Sequence, residues 1–164
     1  GAFLTGDLFN LFVFFEILLA ATYQGVGERA VEVAAEHVAK RRSVKNQTTY
    51  SNDPDIRWRI AEAALIMNAV GPQIRELARD IDEGTDRGRS WMPQLSAAKN
   101  AAAEATLRAV EQAMRACGGS AYYNTHELSR LYRDALAGLF QPSDQESLHA
   151  AWANLILGPI EKAQ

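Results

Sequence analysis

Four cations lie close together about a quarter of the way along the 164-residue chain. Lys40, Arg41 and Arg42 are consecutive, and Lys45 follows three residues later. Guanidinium and ammonium groups in such a cluster can hold a phosphate or pyrophosphate through charge-assisted hydrogen bonds. The same residues also suit an ordinary solvated helix end, because the helix dipole favours cations near a C-terminus. By physics alone, the solvated helix end is the simpler interpretation.

A second candidate site begins with the adjacent glycines Gly118 and Gly119. Because glycine has no side chain, a backbone segment with two glycines can approach a ligand closely. Arg130 and Arg133 follow one helical turn apart, and we expect Arg133 with Asp134 to organise the turn. The alternative, which physics alone favours, is a helix cap followed by surface ion pairs without a ligand.

The sequence contains no clear pattern for metal binding or nucleophilic catalysis. His37, His126 and His149 are far apart, and none has a cysteine or carboxylate at metal-ligand spacing. Cys117 is the single cysteine, so an intrachain disulfide is excluded, and we interpret it as a small buried apolar residue. Phosphate-binding loops of the GxGxxG or Walker type are missing from the sequence. We therefore predict no metal site and identify no catalytic residue.

Apolar side chains at intervals of three and four residues predict the helices that position these groups. The first helix runs from about residue 24 to 42, and residues 43–52 form a polar loop. The second begins at Asp53–Pro54 and continues to about Ile81, with a kink at Gly71–Pro72. The third runs from about residue 93 to 117 and ends at the two glycines.

Two shorter helices follow, each with capping-box spacing at its start. Asn124 and Glu127 mark the beginning of the fourth helix. Ser143 and Glu146 mark the beginning of a last helix, which Gly158–Pro159 ends. Alternation of apolar and polar residues over strand length does not occur. The predicted fold is all-α: an up-and-down antiparallel four-helix bundle with a short additional C-terminal helix.

Residues 1–23 differ in composition from the predicted bundle, residues 24–164. They contain five of the six phenylalanines and no lysine or arginine, since the first cation is Arg29. Their apolar stretch is shorter than the roughly 20 residues that a membrane span needs, and it lacks the cationic start of a signal peptide. We interpret it as a foreign or junctional segment that can extend the first helix, without stable membrane insertion. The alternative is a buried first helix of the bundle.

The segment Gly6–Glu16, with the sequence GDLFNLFVFFE, closely resembles a transmembrane helix of proton-translocating subunits. These subunits belong to multisubunit cation/proton antiporters and to respiratory complex I. The resemblance implies that Glu16 matches a buried protonatable acid on the ion path, and an intramembrane acid is a functional-site hypothesis by default. That family builds its path from many such helices, whereas nothing after residue 23 is predicted to span a bilayer. Ion transport is therefore the least favoured hypothesis.

The remainder of the chain, residues 21–159, resembles the C-terminal helical domain of acyl-CoA dehydrogenases. The motif that carries this resemblance is Gly118–Gly119 followed by Arg-Leu-Tyr-Arg-Asp at residues 130–134, after a first helix that ends in Arg41 and Arg42. The match is closest to the second type of this domain, which flavin-dependent monooxygenases also contain. The resemblance implies that Arg41, with Arg42 as the fallback, contacts the FAD diphosphate. It also implies that the glycine loop approaches the adenosine of FAD.

The resemblance further implies subunit packing as a homodimer or homotetramer and a cleft shared by FAD and an acyl-CoA or related small substrate. Many of these dehydrogenases carry a catalytic glutamate soon after the Arg-Asp pair, whereas residues 139–143 read LFQPS here, without a carboxylate. The general base then lies elsewhere, or the parent chemistry is oxygenation of a reduced flavin. The N-terminal helical and middle β-domains of the family have no counterpart in this sequence. We therefore expect that the chain alone neither binds FAD tightly nor turns over substrate.

Composition limits the remaining function classes. The formal net charge of -3 gives no electrostatic reason to propose nucleic acid as a partner. A single cysteine is most simply explained by a reducing compartment, so we expect a cytoplasmic protein. The second hypothesis, after a flavoprotein domain, is a structural bundle that only self-associates and binds no ligand.

Overall fold

The computed structural model describes residues 2–45 and 47–161, and these residues form six α-helices. The helices are α1 Ala2–Lys40, α2 Pro54–Asn68, α3 Gly71–Asp82, α4 Trp91–Cys117, α5 Glu127–Leu136 and α6 Gln145–Leu157. The first residue of the predicted Phe-rich segment and the last three of the predicted bundle lie outside the described residues. Within those residues there is no β-strand, only an isolated antiparallel bridge between Arg42 and Thr49. The all-α prediction is confirmed.

Helix α1 continues through the predicted border at residue 23 without a break. From Asn10 to its end it is long and apolar enough to cross a bilayer, judged by length and composition only. Core helices of soluble proteins have the same properties, and α1 buries one side against the other helices. Between Asn10 and Tyr23, the buried side chains on that side are Val13, Glu16, Ala20 and Tyr23. The opposite face is exposed, with Phe14 and Leu18 retaining about two-thirds of their surface.

Clusters of buried residues define the directions of the helices. Val13 of α1 packs in one cluster with Leu95 of α4, while Ala30 packs further along with Val110 of α4. The two helices therefore run parallel. Leu77 of α3 belongs to the same cluster as Val13, so α2 and α3 return antiparallel to α1. Helix α5 then runs back along α4, which completes the predicted up-and-down order.

Small residues allow the helices to pack closely around α4. An added Cβ on Gly138 would lie 2.7 Å from the Ala103 Cβ, so the turn after α5 lies too close to the Ala103 side chain of α4 for a side chain at position 138. Helix α6 packs on the start of α4, where Trp152 Nε1 donates to the Pro93 carbonyl oxygen at 3.2 Å. This contact confirms the short additional C-terminal helix.

The predicted second helix is divided into α2 and α3, which corrects the expectation of one kinked helix. Ala69 and Val70, between the two, keep helical backbone angles. However, Pro72 lacks the N–H group that would bind the Asn68 carbonyl, so the hydrogen-bond ladder stops there. The apolar register from α2 to α3 is nevertheless retained, because Ile74 and Leu77 remain buried.

Two of the predicted helix starts are shifted along the chain. The N-cap of α5 is His126 instead of Asn124, because the imidazole Nδ1 accepts a backbone N–H at 3.2 Å. The N-cap of α6 is Asp144 instead of Ser143, because a carboxylate oxygen accepts a backbone N–H at 2.9 Å. Asp53 caps α2 as predicted. Ser143 is unavailable as a cap because its hydroxyl binds the carboxylate of Glu16.

Candidate functional site

Arg41 follows α1 directly and its guanidinium lies over the C-terminus of α4. Nη1 donates to the Cys117 carbonyl oxygen at 2.7 Å and to Ser120 Oγ at 3.1 Å. The guanidinium carbon lies 4.8 Å from the centre of the Tyr50 ring. All hydrogen bonds from this guanidinium to the described residues use Nη1, which leaves the Nε and Nη2 donors for a further acceptor. Arg41 is therefore held in place by α4 and retains donors for a ligand.

The other three cations of the predicted cluster do not contact the glycine loop. Arg42 Nη2 donates to the Gln47 carbonyl oxygen at 2.9 Å, within the loop that follows α1. Lys40 and Lys45 are exposed. Of the four cations, Arg41 is the one that the fold brings to the glycine loop.

Gly118 and Gly119 form the exposed start of a 3-10 turn after α4. Gly118 ends the helix with φ 70°, a backbone angle that favours glycine. A Cβ on Gly118 would lie 3.9 Å from Arg41 Nη1, and one on Gly119 would meet no described atom within 4 Å. An open backbone beside a guanidinium can accommodate a phosphate group.

A cavity of about 400 Å³ lies next to this loop, between α4 and α5. It is lined by Met114, Tyr122, Tyr123, Asn124, Ser129, Tyr132 and Arg133. Arg133 Nη1 donates to Ser129 Oγ at 3.0 Å, which fixes its side chain along the cavity wall. Aromatic rings together with a guanidinium can stack on a planar ligand.

Arg130 and Asp134 lie on the exposed side of α5. Arg130 Nη1 donates to Asp134 Oδ2 at 3.3 Å, a pair four residues apart in the helix. Helical spacing brings Arg130 to Asp134 and Arg133 to Ser129, so Arg133 and Asp134 have different partners. The structure brings Arg133 to the cavity and leaves Arg130 and Asp134 in a surface ion pair.

An ion pair between α1 and α5 holds this side of the bundle together. Arg29 Nε and Nη2 donate to the two carboxylate oxygens of Glu127, each at 3.1 Å. The hydrogen bonds from Arg29 lower the pKa of Glu127, and the charge of Arg29 adds to the effect. The two residues are separated by 98 positions, so helix periodicity could not indicate this contact.

Residues 139–143 contain no carboxylate of their own, but the fold brings the carboxylate of Glu16 to this segment. Glu16 Oε1 accepts hydrogen bonds from Ser143 N at 3.2 Å and from Ser143 Oγ at 2.8 Å. Glu16 is fully buried, and its Oε2 atom has no hydrogen-bond partner among the described residues. Sequence analysis missed this contact because 127 positions separate the two residues.

A buried ammonium group binds the same turn from α4. Lys99 is fully buried, and its Nζ donates to the carbonyl oxygens of Gly138, Gln141 and Ser143 at 2.8 to 3.1 Å. Burial lowers the pKa of Lys99, and the charge of Glu16 opposes that shift. Lys99 and Glu16 thus fix the turn between α5 and α6 with opposite charges.

Three potential metal ligands converge below the glycine loop, which the sequence did not predict. The ligand atoms of His37, Cys117 and His126 lie within 4.8 Å of one another. Burial lowers the pKa of His37, with further contributions from the charges of His126 and Arg41. Burial raises the pKa of the Cys117 thiol to about 11. The residues come from α1, α4 and the N-cap of α5, so only the folded chain brings them together.

Comparison with known proteins gives one family and two kinds of relative. The family model described as "Acyl-CoA dehydrogenase, C-terminal domain" matches residues 12–140. The Bacillus subtilis (strain 168) protein named "Putative acyl-CoA dehydrogenase YdbM" is 28% identical over 124 residues, which are 76% of this chain and 32% of that protein. One subunit of the Na(+)/H(+) antiporter of Alkalihalophilus pseudofirmus is 83% identical over 23 residues, which are 14% of this chain and 5% of that protein.

Solved structures share the fold over most of the chain. The crystal structure of an acyl-CoA dehydrogenase from Geobacillus kaustophilus superimposes with a TM-score of 0.81 at 19% identity, covering 92% of this chain and 38% of that one. XiaF from Streptomyces sp., in complex with FADH2 and glycerol, gives a TM-score of 0.79 at 15% identity, with coverages of 93% and 40%. The chain spans about a third of the length of its acyl-CoA dehydrogenase relative from B. subtilis.

Proposed function

Because the chain belongs to the family of acyl-CoA dehydrogenase C-terminal domains, we propose that it is part of an FAD-dependent oxidoreductase of this kind. In this role the bundle contributes one wall of the flavin and acyl-CoA cleft and takes part in subunit packing. The chain alone is expected to be inactive. The family's substrate class, an acyl-CoA or a related small molecule, is part of this proposal, for either dehydrogenase or monooxygenase chemistry.

The observation that carries the proposal is the position of Arg41 beside Gly118. A bound FAD would supply the electron acceptor for substrate oxidation. Arg41 has a fixed guanidinium with donors that no described residue occupies, so it would neutralise the diphosphate, with the more distant Arg42 as the fallback. The exposed backbone of Gly118 and Gly119 would allow the adenosine portion to approach.

The cavity beside the glycine loop extends the proposed cofactor site. Tyr122 and Tyr123 are exposed and offer ring faces to a purine, while Arg133 offers a guanidinium plane. Arg130 and Asp134 then have a structural role at the surface of α5. The FADH2 complex of XiaF, which shares this fold, supports the proposal of flavin as the cofactor.

Glu16 is proposed as a residue that positions the turn at 139–143. Its carboxylate is fully buried and bound to Ser143, which supports this role over a place on an ion path. The antiporter likeness remains the basis for proposing that residues 1–23 are junctional in origin. Val13, Ala20 and Tyr23 of this segment nevertheless pack in the core of the bundle. A cytoplasmic location and a homodimer or homotetramer follow from the family as further parts of the proposal.

Reconstitution of flavin binding tests the proposed function. The 164-residue chain is titrated with FAD alone and is also fused behind the N-terminal and middle domains of the B. subtilis relative. We expect no stoichiometric FAD with the chain alone and a stoichiometric flavin absorption band with the fusion. In the fusion, Arg41→Ala should weaken FAD affinity by at least about tenfold, because a charge-assisted hydrogen bond is lost.

Arg108→Ala is the matched control, since this exposed arginine lies on α4 away from the glycine loop. Equal FAD affinity of the two variants would contradict the role of Arg41. A fusion that folds and shows native helicity but recovers no flavin would favour a ligand-free structural bundle. Stoichiometric flavin in the purified chain alone would contradict the expectation that the bundle is insufficient.

A further inference from the structure

His37, Cys117 and His126 lie beneath the glycine loop and are not among the proposed flavin contacts. They offer two imidazole nitrogens and a thiol, which are metal ligands. His37 Nδ1 and His126 Nε2 are 3.4 Å apart. Two nitrogen ligands of a tetrahedral Zn²⁺ ion, each about 2.0–2.1 Å from the metal, are separated by about 3.3 Å. The two imidazoles therefore already have the spacing of one edge of a zinc site.

We propose that His37, Cys117 and His126 form a binding site for a single borderline-soft divalent cation of the Zn²⁺ class. Two imidazole nitrogens and a thiolate are the donor set that such cations prefer. All three ligand atoms lie within 4.8 Å of one another, so the thiol has to approach the imidazoles by about one ångström. Both histidines are half-buried, so the fourth position is open to water.

The surroundings of His37 suit this role. With the metal on Nδ1, the neutral ring carries its proton on Nε2, which lies 3.4 Å from Ser120 Oγ. Metal-bound histidines are usually oriented by such a hydrogen bond from the second nitrogen. Ser120 in turn donates to the Cys117 carbonyl oxygen at 3.1 Å, so one short network ties two of the three ligands together.

Two features lower the affinity of the site. His126 Nδ1 accepts the backbone N–H of Leu128, so coordination through Nε2 moves the ring proton to Nδ1 and breaks this cap. The guanidinium of Arg41 also lies close by, on the Cys117 carbonyl oxygen. Coordination forms the metal–sulfur bond and breaks the S–H bond, and this proton leaves to solvent. We therefore expect a dissociation constant nearer micromolar than picomolar, with about one proton released per metal bound.

Titration of the reduced 164-residue chain with Co²⁺ tests this site, because a thiolate ligand gives Co²⁺ a near-ultraviolet charge-transfer band. We expect saturation at one equivalent, followed by displacement with Zn²⁺. Cys117→Ala should abolish the band, and His37→Gln should weaken Co²⁺ binding by about tenfold or more. His149→Gln is the matched control, because this exposed histidine lies on α6 and outside the cluster.

The proposal is overturned if the wild-type chain gives no charge-transfer band or if the band persists in Cys117→Ala. An equal weakening by His149→Gln and His37→Gln would overturn it as well. Circular dichroism of each variant establishes that the helices are retained. Should Cys117→Ala fail to fold, His37→Gln and His126→Gln provide the same test, because both leave the buried thiol in place.

Discussion

The two buried charges at the turn between α5 and α6 differ in how completely they are hydrogen-bonded. Lys99 satisfies three backbone carbonyl oxygens, whereas Glu16 uses one of its oxygens and leaves the other without a partner among the described residues. Buried polar groups that lose their partners are costly, because water cannot replace the lost hydrogen bonds. The turn therefore depends more on the ammonium group than on the carboxylate.

Replacement of the buried lysine, Lys99→Met, should lower the free energy of unfolding by about 3 kcal/mol, because three carbonyl oxygens lose their donor. Urea denaturation followed by circular dichroism measures this loss. Lys45→Met is the matched control and should change the free energy by less than about 0.5 kcal/mol, since Lys45 is exposed. Similar losses in the two variants would contradict the assigned role of Lys99.

We expect the buried phenol of Tyr23 to make the free energy of unfolding depend on pH in the alkaline range. Burial raises the pKa of Tyr23 above its ordinary value of 10.0, and the hydroxyl donates to Gln141 Oε1 at 2.6 Å. The folded chain therefore holds this proton to higher pH than the unfolded chain does. The contribution of Tyr23 is complete below about pH 10 and decreases as the pH rises beyond it.

Urea denaturation at a series of pH values from about 8 to 11 measures this dependence. Tyr23→Phe should lower stability by about 1 kcal/mol at pH 8, through loss of the hydrogen bond, and should flatten the decrease above pH 10. The control Tyr123→Phe removes an exposed phenol and should leave the alkaline decrease unchanged. An unchanged pH dependence in Tyr23→Phe would contradict the buried role of Tyr23.

At the scale of helices, two glycines have different roles: one allows close packing between elements, and the other only lowers the stability of its helix. Gly25 is exposed in the middle of α1, and a Cβ there would meet no described atom within 4 Å. Gly138 is buried, and a Cβ there would lie 2.7 Å from the Ala103 Cβ and 3.0 Å from Tyr23 Cζ. The same substitution should therefore have opposite effects at the two positions.

Gly25→Ala should raise the free energy of unfolding by about 0.5–1 kcal/mol, because alanine is the better helix former. Gly138→Ala should lower it by about 1–3 kcal/mol, because the added methyl group overpacks the contact with α4. Thermal and urea denaturation of each variant provide the measurement. Stabilisation by both variants would show that the turn at Gly138 can move away from α4 without cost. Destabilisation by both would contradict the prediction for Gly25.

For the whole molecule, the question is whether the N-terminal half of α1 is needed for folding. Asn10 and Leu11 are exposed, whereas Val13, Ala20 and Tyr23 are buried in the core. Removal of the buried side chains would forfeit about 5 kcal/mol of hydrophobic burial in total. That loss is comparable to the entire stability of a small domain.

Replacement of the exposed pair, Asn10→Ala together with Leu11→Ala, should therefore retain a cooperative unfolding transition. Deletion of residues 1–23 should abolish the transition and expose the core of α3 and α4. Scanning calorimetry and gel filtration of the two variants measure these outcomes. A stable, cooperative bundle after deletion of residues 1–23 would support a domain border at residue 23 and contradict an integral role for the start of α1.

The sequence by itself determined the helices, their order and the antiparallel bundle, because apolar periodicity and caps such as Asp53 act within a few residues of the chain. It also indicated the cations at the end of α1 and the two glycines, since both are local motifs. The sequence also located the interruption at Pro72. It did not show whether the missing N–H group of this proline would bend one helix or divide it into two.

Only the tertiary structure decided which of these groups meet. It selected Arg41 from four neighbouring cations, paired Asp134 with Arg130, and brought Glu16 to Ser143 across 127 positions. It also assembled His37, Cys117 and His126 from α1, α4 and the N-cap of α5, although their spacing in the sequence indicated no metal site. Such contacts depend on how whole helices pack against one another, and hydrophobic burial, which drives that packing, carries no information about the polar groups it brings together.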